Sequence, residues 1–313
     1  MGILFTDKKI KPMLIAANMD PFDSKDYIYE LKLDGYRSIA YIDNEVDIRS
    51  RQNNPLIHKF PELADLHEQV SYSCILDGEL VVLSNGKPDI DALQSRALMT
   101  NNFKINLASK KLPSTFFAYD ILYFKDKSTV NMPLIERKQI LQNTVKENNR
   151  IIISRHIEEY GIQLFNMAKE NKLEGIVAKR KDSPYEMGKR SRLWIKCKVT
   201  CSIDAVVCGY IRKRDGITSI IIGQYDNSQL VYKGHVSLGA GKAHIRKYGF
   251  QQIDMSPFGY VPRGNESAIW IKPDIVCTVE YMPSDRESMR LAVFKGIRED
   301  KYAIECQVKD GLS

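Results

Sequence analysis

Near residue 200 the hydrophobic patterning of the chain changes, and this limits the folds open to it more than any other feature. Upstream, strand-like runs alternate with amphipathic stretches long enough for helices; downstream, short β-rich runs follow one another with turn residues between them. Such a switch points to two domains with separate cores, and 313 residues are enough for both. Thr200 and Ser202 interrupt the apolar runs, so the expected division is 1–200 and 201–313.

Within the first part, Tyr27 to Leu33 alternates, Asp34-Gly35 supplies a turn, Arg37 to Ile42 returns and Asp43-Asn44 turns again, which predicts a strand meander. Helices are predicted over 61–70, 89–99, 134–148 and 159–171, and strands over 74–83, 114–124, 150–155, 175–180 and 192–199. In the second part, strands are predicted over 203–211, 217–225, 229–237, 268–272 and 275–282. Turns are expected at Arg214-Asp215-Gly216 and Asp226-Asn227, and a short helix near 241–249. The class is α+β, with five short strands and one helix suiting a small barrel such as an OB-fold.

With 43% hydrophobic and 27% charged residues the chain is globular rather than disordered. No run approaches the roughly 18 apolar residues of a membrane span. Asp7, Lys8, Lys9 and Lys11 follow a very short apolar start, so no signal peptide is expected and the protein reads as cytoplasmic. Six scattered cysteines form no C-x-x-C pair, and no histidine stands at zinc-ligand spacing, which fits reduced core thiols. The net charge of +7 suits a polyanionic partner, although surplus lysine also aids solubility. Its clustering over 179–198 and 212–214 is what a phosphate-tracking surface would use.

The chemistry concentrates around Lys32-Leu33-Asp34-Gly35-Tyr36-Arg37. An amine nucleophile, a sharp backbone reversal and a nearby guanidinium are the parts of a covalent phosphoramidate mechanism. Charged Asp-Gly turns are also ordinary surface features, so the hexapeptide alone decides little. An ordered set follows: Ser50-Arg51, Leu76-Asp77-Gly78-Glu79-Leu80, Tyr119-Asp120-Ile121-Leu122, Glu174-Gly175-Ile176-Val177-Ala178-Lys179 and Trp194-Ile195-Lys196-Cys197-Lys198. Lys196 and Lys198 alternate with apolar Ile195, Cys197 and Val199, which puts both lysines on one strand face.

In this order and spacing the sequence resembles the covalent nucleotidyltransferase superfamily of ATP-dependent ligases, NAD-dependent ligases and capping enzymes. The resemblance implies an adenylation domain of antiparallel sheets with helices, followed by an OB-fold barrel. It makes Lys32 the catalytic nucleophile on the α-phosphate. A normal lysine is protonated at pH 7, so the site must lower its pKa, with Lys179, Lys196 and Lys198 supplying a positive field. Glu79 and Glu174 are the implied metal carboxylates, suited to magnesium or manganese, and Glu79 also contacts the ribose. Tyr119 takes the adenine-stacking position, and Glu30 resembles the acidic residue that accepts from the adenine amino group. Arg37 and Arg51 would face nucleotide phosphates or the nicked strand. The family's Ser-Arg-x-Gly is here Ser50-Arg51-Gln52-Asn53, and asparagine tolerates the positive φ a glycine would supply.

Residues 290–301, RLAVFKGIREDK, resemble the last motif of ATP-dependent DNA ligases. Arg290, Arg298 and Lys301 are carried over as nucleotide contacts that orient pyrophosphate, with Asp300 as their organiser. The text from VCGYIRKRDG to DIVCTVEYM resembles the ligase domain of bacterial end-joining ligases. ATP is the implied donor, nicked duplex DNA the substrate, end-joining or repair proteins the expected partners, and a monomer the expected state. An RNA ligase, a capping-type enzyme or a non-catalytic OB-fold nucleic-acid-binding protein would share parts of this pattern. Gly239-Ala240-Gly241-Lys242 lacks phosphate-loop spacing and reads as a turn.

Overall fold

The computed structural model describes residues 3–213, 216–238, 249–282 and 289–308. The chain divides into two compact units, Met1–Lys198 and Val199–Ser313.

The first unit begins with α1 (Ile3–Asp7), β1 (Leu14–Asn18), β2 (Ser24–Leu31), β3 (Tyr36–Ile42) and β4 (Val46–Ser50). It continues through β5 (Cys74–Ser84), β6 (Lys87–Pro88), α2 (Ile90–Ala97), α3 (Asn102–Lys111), β7 (Ser114–Phe124), β8 (Lys127–Ser128) and α4 (Leu134–Thr144). It ends with β9 (Ile151–Ile153), β10 (His156–Glu159), α5 (Gly161–Glu170), β11 (Gly175–Arg180) and β12 (Arg190–Lys198). One sheet has the order β1-β12-β11-β2-β10; the other runs β4-β3-β5-β7-β8, with β6 on β5 and β9 on β7.

Period-two alternation explains how these sheets pack. In the first sheet Tyr29, Ile176, Ala178, Ile195 and Cys197 face α5. The residues between them, Ile28, Val177 and Trp194, meet Ile39, Ile75, Tyr119 and Leu122 of the second sheet. The far face of the second sheet buries Ala40, Ile42, Leu76, Leu80, Phe116 and Ile121.

The expected meander is corrected at its first turn. β2 pairs with β10 and β11, whereas β3 pairs with β4 and β5, so Lys32–Gly35 carries the chain from one sheet to the other. Gly35 is required there because a Cβ would lie 2.3 Å from the Leu80 carbonyl oxygen. The Asp43-Asn44 turn does join a pair, β3 and β4.

The predicted 61–70 helix is a 3-10 helix over Pro61–Gln69. α3 was not foreseen: its Phe103 and Leu107 are exposed, so no clean apolar stripe marks it, although Asn101 caps it by accepting from Lys104 N. The predicted 150–155 strand is only β9, with β10 as a separate strand after it.

The second unit holds β13 (Cys201–Lys213), β14 (Gly216–Asp226), β15 (Gln229–Ser237), β16 (Ile269–Met282) and β17 (Arg290–Arg298). They close a barrel in the order β13-β14-β15-β17-β16, the five-stranded architecture of an OB-fold. The predicted strands 268–272 and 275–282 are one strand, bulged around Pro273 where the register against β13 shifts. The fifth strand is β17, formed by the first nine residues of the RLAVFKGIREDK motif. The helix near 241–249 and the Gly239–Lys242 turn fall, all but residue 249, outside the described residues, as do Arg214 and Asp215.

Candidate active site

Between the two sheets of the first unit lies a cleft with about 500 Å³ of open space, lined by Ile15, Glu30, Lys32, Arg37, Glu79, Tyr119, Ser154, Val177, Lys179 and Trp194. Strand register puts these residues together. Glu30 stands opposite Val177, which stands opposite Lys196, and Lys179 stands opposite Trp194. Cross-strand neighbours share a face, so three distant stretches of chain contribute to one wall. Arg37 and Glu79, paired across β3 and β5, contribute from the second sheet.

Lys32 follows the last residue of β2, where its backbone N–H donates to the Gly175 carbonyl at 2.9 Å. Its Nζ donates to Glu174 Oε2 at 2.5 Å, and Lys198 Nζ lies 3.0 Å from Glu174 Oε1. Glu174 is thus a hub between two lysines. Lys196 lies beside them, its pKa lowered by partial burial and by the charges of Lys198 and Lys32.

Glu79 differs from Glu174. Burial pushes its carboxyl up to about 7, against the pull of Arg37 and Lys32. A carboxylate held this way favours an incoming cation, so Glu79 fits a divalent metal. Glu174 fits one less well, since both of its oxygens are engaged by lysines. No cluster of three or more potential metal ligands occurs among the described residues.

At the opposite end of the wall Glu30 is buried between two cations: Oε1 is 2.5 Å from Lys138 Nζ and Oε2 is 3.1 Å from Lys179 Nζ. Burial alone would raise its pKa, but Lys138 and then Lys179 outweigh it and the carboxyl ends below its ordinary value. Burial brings Lys179 down to about 8, although Glu30 opposes the shift. Lys179 Nζ also sits 4.3 Å from the ring centroids of both Tyr119 and Trp194. Tyr119 is buried, edge-to-face with Trp194 at 6.3 Å.

Arg37 is turned inward. Its Nε and Nη2 donate to Asp77 at 2.7 and 2.5 Å, Nη2 also donates to the Met13 carbonyl, and its guanidinium stacks over Tyr119. Asp77 accepts a further hydrogen bond from the Tyr185 hydroxyl at 2.6 Å. This geometry makes Arg37 part of the cleft floor and leaves its expected contact with the nicked strand without support. Arg51 is exposed in the turn after β4, and Asn53 takes φ 67°, the backbone that the family's glycine would supply.

In the second unit Asp204 on β13 accepts from Lys301 Nζ at 2.8 Å and from Thr278 at 2.9 Å, and lies 3.3 Å from Arg298. Arg298 also donates to Asp300, at 2.7 and 2.8 Å. Arg298 and Lys301 therefore share a cluster, organised by Asp204 as well as Asp300. Arg290 begins β17, opposite Met282, at the other end of the strand.

Lys138, Asp77, Trp194 and Asp204 went unassigned from sequence. Asp77 and Trp194 stand inside quoted motifs, two residues from Glu79 and Lys196, so strand alternation was an available signal. Lys138 sits on a helix and Asp204 in another unit, and only packing reveals them.

Two family descriptions match the chain: ATP dependent DNA ligase domain over residues 10–198, and ATP dependent DNA ligase C terminal region over 213–301. The SPbeta prophage-derived DNA ligase-like protein LigB of Bacillus subtilis is 35% identical over 206 residues, 65% of this chain and 73% of LigB. The multifunctional non-homologous end joining protein LigD of Pseudomonas aeruginosa is 32% identical over 301 residues, 90% of this chain but 34% of LigD. A probable DNA ligase of Dictyoglomus turgidum is 28% identical, over 80% of this chain and 47% of its own length. The chain thus spans less than half of the latter two relatives. Among solved structures, a mycobacterial DNA ligase D complexed with ATP and MES shares the fold with TM-score 0.56 at 24% identity, covering 96% of this chain and 99% of that one.

Proposed function

The chain belongs to the ATP-dependent DNA ligase family, and from that premise we propose that it seals nicks in duplex DNA through a covalent adenylate on Lys32. The observation that carries this reading is the placement of Lys32 Nζ in the cleft, hydrogen-bonded to Glu174 and flanked by Lys198.

Nζ attacks the α-phosphorus of ATP, forming the N–P bond as the bond to pyrophosphate breaks. The amine needs a free lone pair, and Glu174 at 2.5 Å is the acceptor in reach of its proton. AMP then passes from Lys32 to the 5′-phosphate at the nick, and the adjacent 3′-hydroxyl displaces AMP and closes the strand. Lys179, Lys196 and Lys198 stabilise charge on phosphorus, since phosphoryl transfer relies on positioning and electrostatics. Tyr119 packs against the adenine, Glu30 accepts from its amino group, and Glu79 meets the ribose and would hold a magnesium or manganese ion. Such an ion would neutralise the triphosphate and polarise the phosphoryl group under attack. Arg37 holds the aromatic wall through Asp77, Arg51 contacts DNA, and Arg290, Arg298 and Lys301 act on pyrophosphate.

Ligase matches over both units favour DNA sealing over the RNA-ligase, capping-type and non-catalytic readings. LigD is named for end joining, and we extend that context, with repair or end-joining partners and a cytoplasmic location, to this chain. No helix among the described residues is long and apolar enough to cross a membrane.

The test incubates the protein with α-labelled ATP and magnesium, then adds nicked duplex. Covalent label that is lost in Lys32→Ala and chased into sealed DNA is expected. An unlabelled wild-type protein would overturn the mechanism; label retained by Lys32→Ala would overturn the residue.

A further inference from the structure

Lys138 lies on α4, outside every motif used above, yet it is 2% exposed and its Nζ is 2.5 Å from Glu30 Oε1. A fully buried lysine is rare unless it is paired. Here the pairing is asymmetric, because Lys179 already supplies Glu30 with one cation at 3.1 Å. Lys138 is nevertheless the stronger of the two in holding the buried carboxylate ionised.

The other groups around Glu30 sharpen what the second cation does. His156 on β10 stands opposite Glu30, its pKa lowered by burial and then by Lys138. Ser154 also helps to hold the pKa of the carboxylate down. Glu30, Lys179 and Ser154 line the cleft beside Tyr119 and Trp194, so this carboxylate meets whatever edge the aromatic wall presents to it.

An ionised carboxylate only accepts hydrogen bonds, whereas a protonated one also donates. At the corresponding purine edge adenine offers an amino donor and guanine a carbonyl acceptor. We propose that Lys138 is a specificity-determining positioning residue, which clamps Glu30 as a fixed acceptor so that the cleft takes a purine with an amino group at that edge and rejects one with a carbonyl. Without Lys138, Glu30 can turn and carry a proton toward a guanine carbonyl. The proposal rests on the reading that Glu30 meets the base.

The experiment compares self-labelling by α-labelled ATP and GTP. Lys138→Met keeps the length of the side chain and removes its charge, Lys138→Arg restores the charge, and Glu30→Gln removes the acceptor-only group. The ATP-to-GTP ratio of kcat/KM should fall roughly tenfold or more in Lys138→Met and Glu30→Gln, the size of one misread base edge. It should return toward wild type in Lys138→Arg, and Lys138→Met added to Glu30→Gln should lower it no further. An unchanged ratio in Lys138→Met, with both rates reduced alike, would make Lys138 structural glue and overturn the proposal. If Lys138→Met does not fold, Lys138→Gln carries the same expectation. A wild type that labels with neither nucleotide would instead overturn the underlying function.

Discussion

Glu79 reaches the cleft from the second sheet and Glu174 stands beside Lys32 at the start of a first-sheet strand, and their surroundings give them different work. Glu79 is raised to about 7 by burial, so between about pH 4.5 and 7 the folded protein binds a proton that the unfolded chain releases. Stability is therefore lost as pH rises through that window, by roughly 3 kcal/mol as an upper figure. Glu79→Gln should raise the melting temperature at pH 8, with the gain shrinking to nothing near pH 4, while self-labelling falls. A gain that did not depend on pH would refute the assignment. Glu174→Gln keeps the side-chain shape but removes the proton acceptor of Lys32, and labelling by ATP should drop about 10² to 10³-fold in single-turnover measurements. Both glutamates were legible as site residues from their motifs. Their division of labour was not, because it depends on which cations reach them across the sheets.

Strand alternation explains why so much of each element could be read in advance. β5, β7, β11 and β12 were all marked by apolar periodicity, and the motif residues sit on their inward faces. What alternation does not encode is pairing, and β2 and β3 join different sheets although a turn-like Asp34-Gly35 links them. The ties between elements are also long-range. Arg137 of α4 donates to Asp120 of β7 through Nε and Nη2, both at 2.8 Å, with neither side chain exposed. Asp120→Ala strands a buried guanidinium, and urea unfolding should report a loss of about 3–5 kcal/mol. A loss below about 1 kcal/mol would contradict the clamp. In the barrel, Asp204→Asn should cost little thermal stability, since the Arg298 and Lys301 side chains are partly exposed and screened by water. It should slow self-labelling more than it slows sealing of a pre-adenylylated nick; equal slowing of both would remove Asp204 from the pyrophosphate step.

For the whole molecule, the surplus of +7 charges bears on how DNA is held. Binding through phosphate contacts releases counterions, so affinity for nicked duplex should fall by about 10³ or more between roughly 50 and 200 mM salt if six or more phosphates are contacted. Fluorescence anisotropy of a labelled nick would measure it, and a flat response would disprove phosphate-led binding. The sequence by itself determined the two-part organisation, most of the strands, the motif around Lys32 and the family, because these depend on local periodicity and on residue types at short spacing. Tertiary structure alone decided that Lys32 crosses between sheets, that Glu174 bridges two lysines, that Arg37 turns inward to Asp77, and that Lys138 reaches Glu30. Each of these joins residues distant in the chain, and the register and packing that bring them within 3 Å leave no pattern in any single stretch of it.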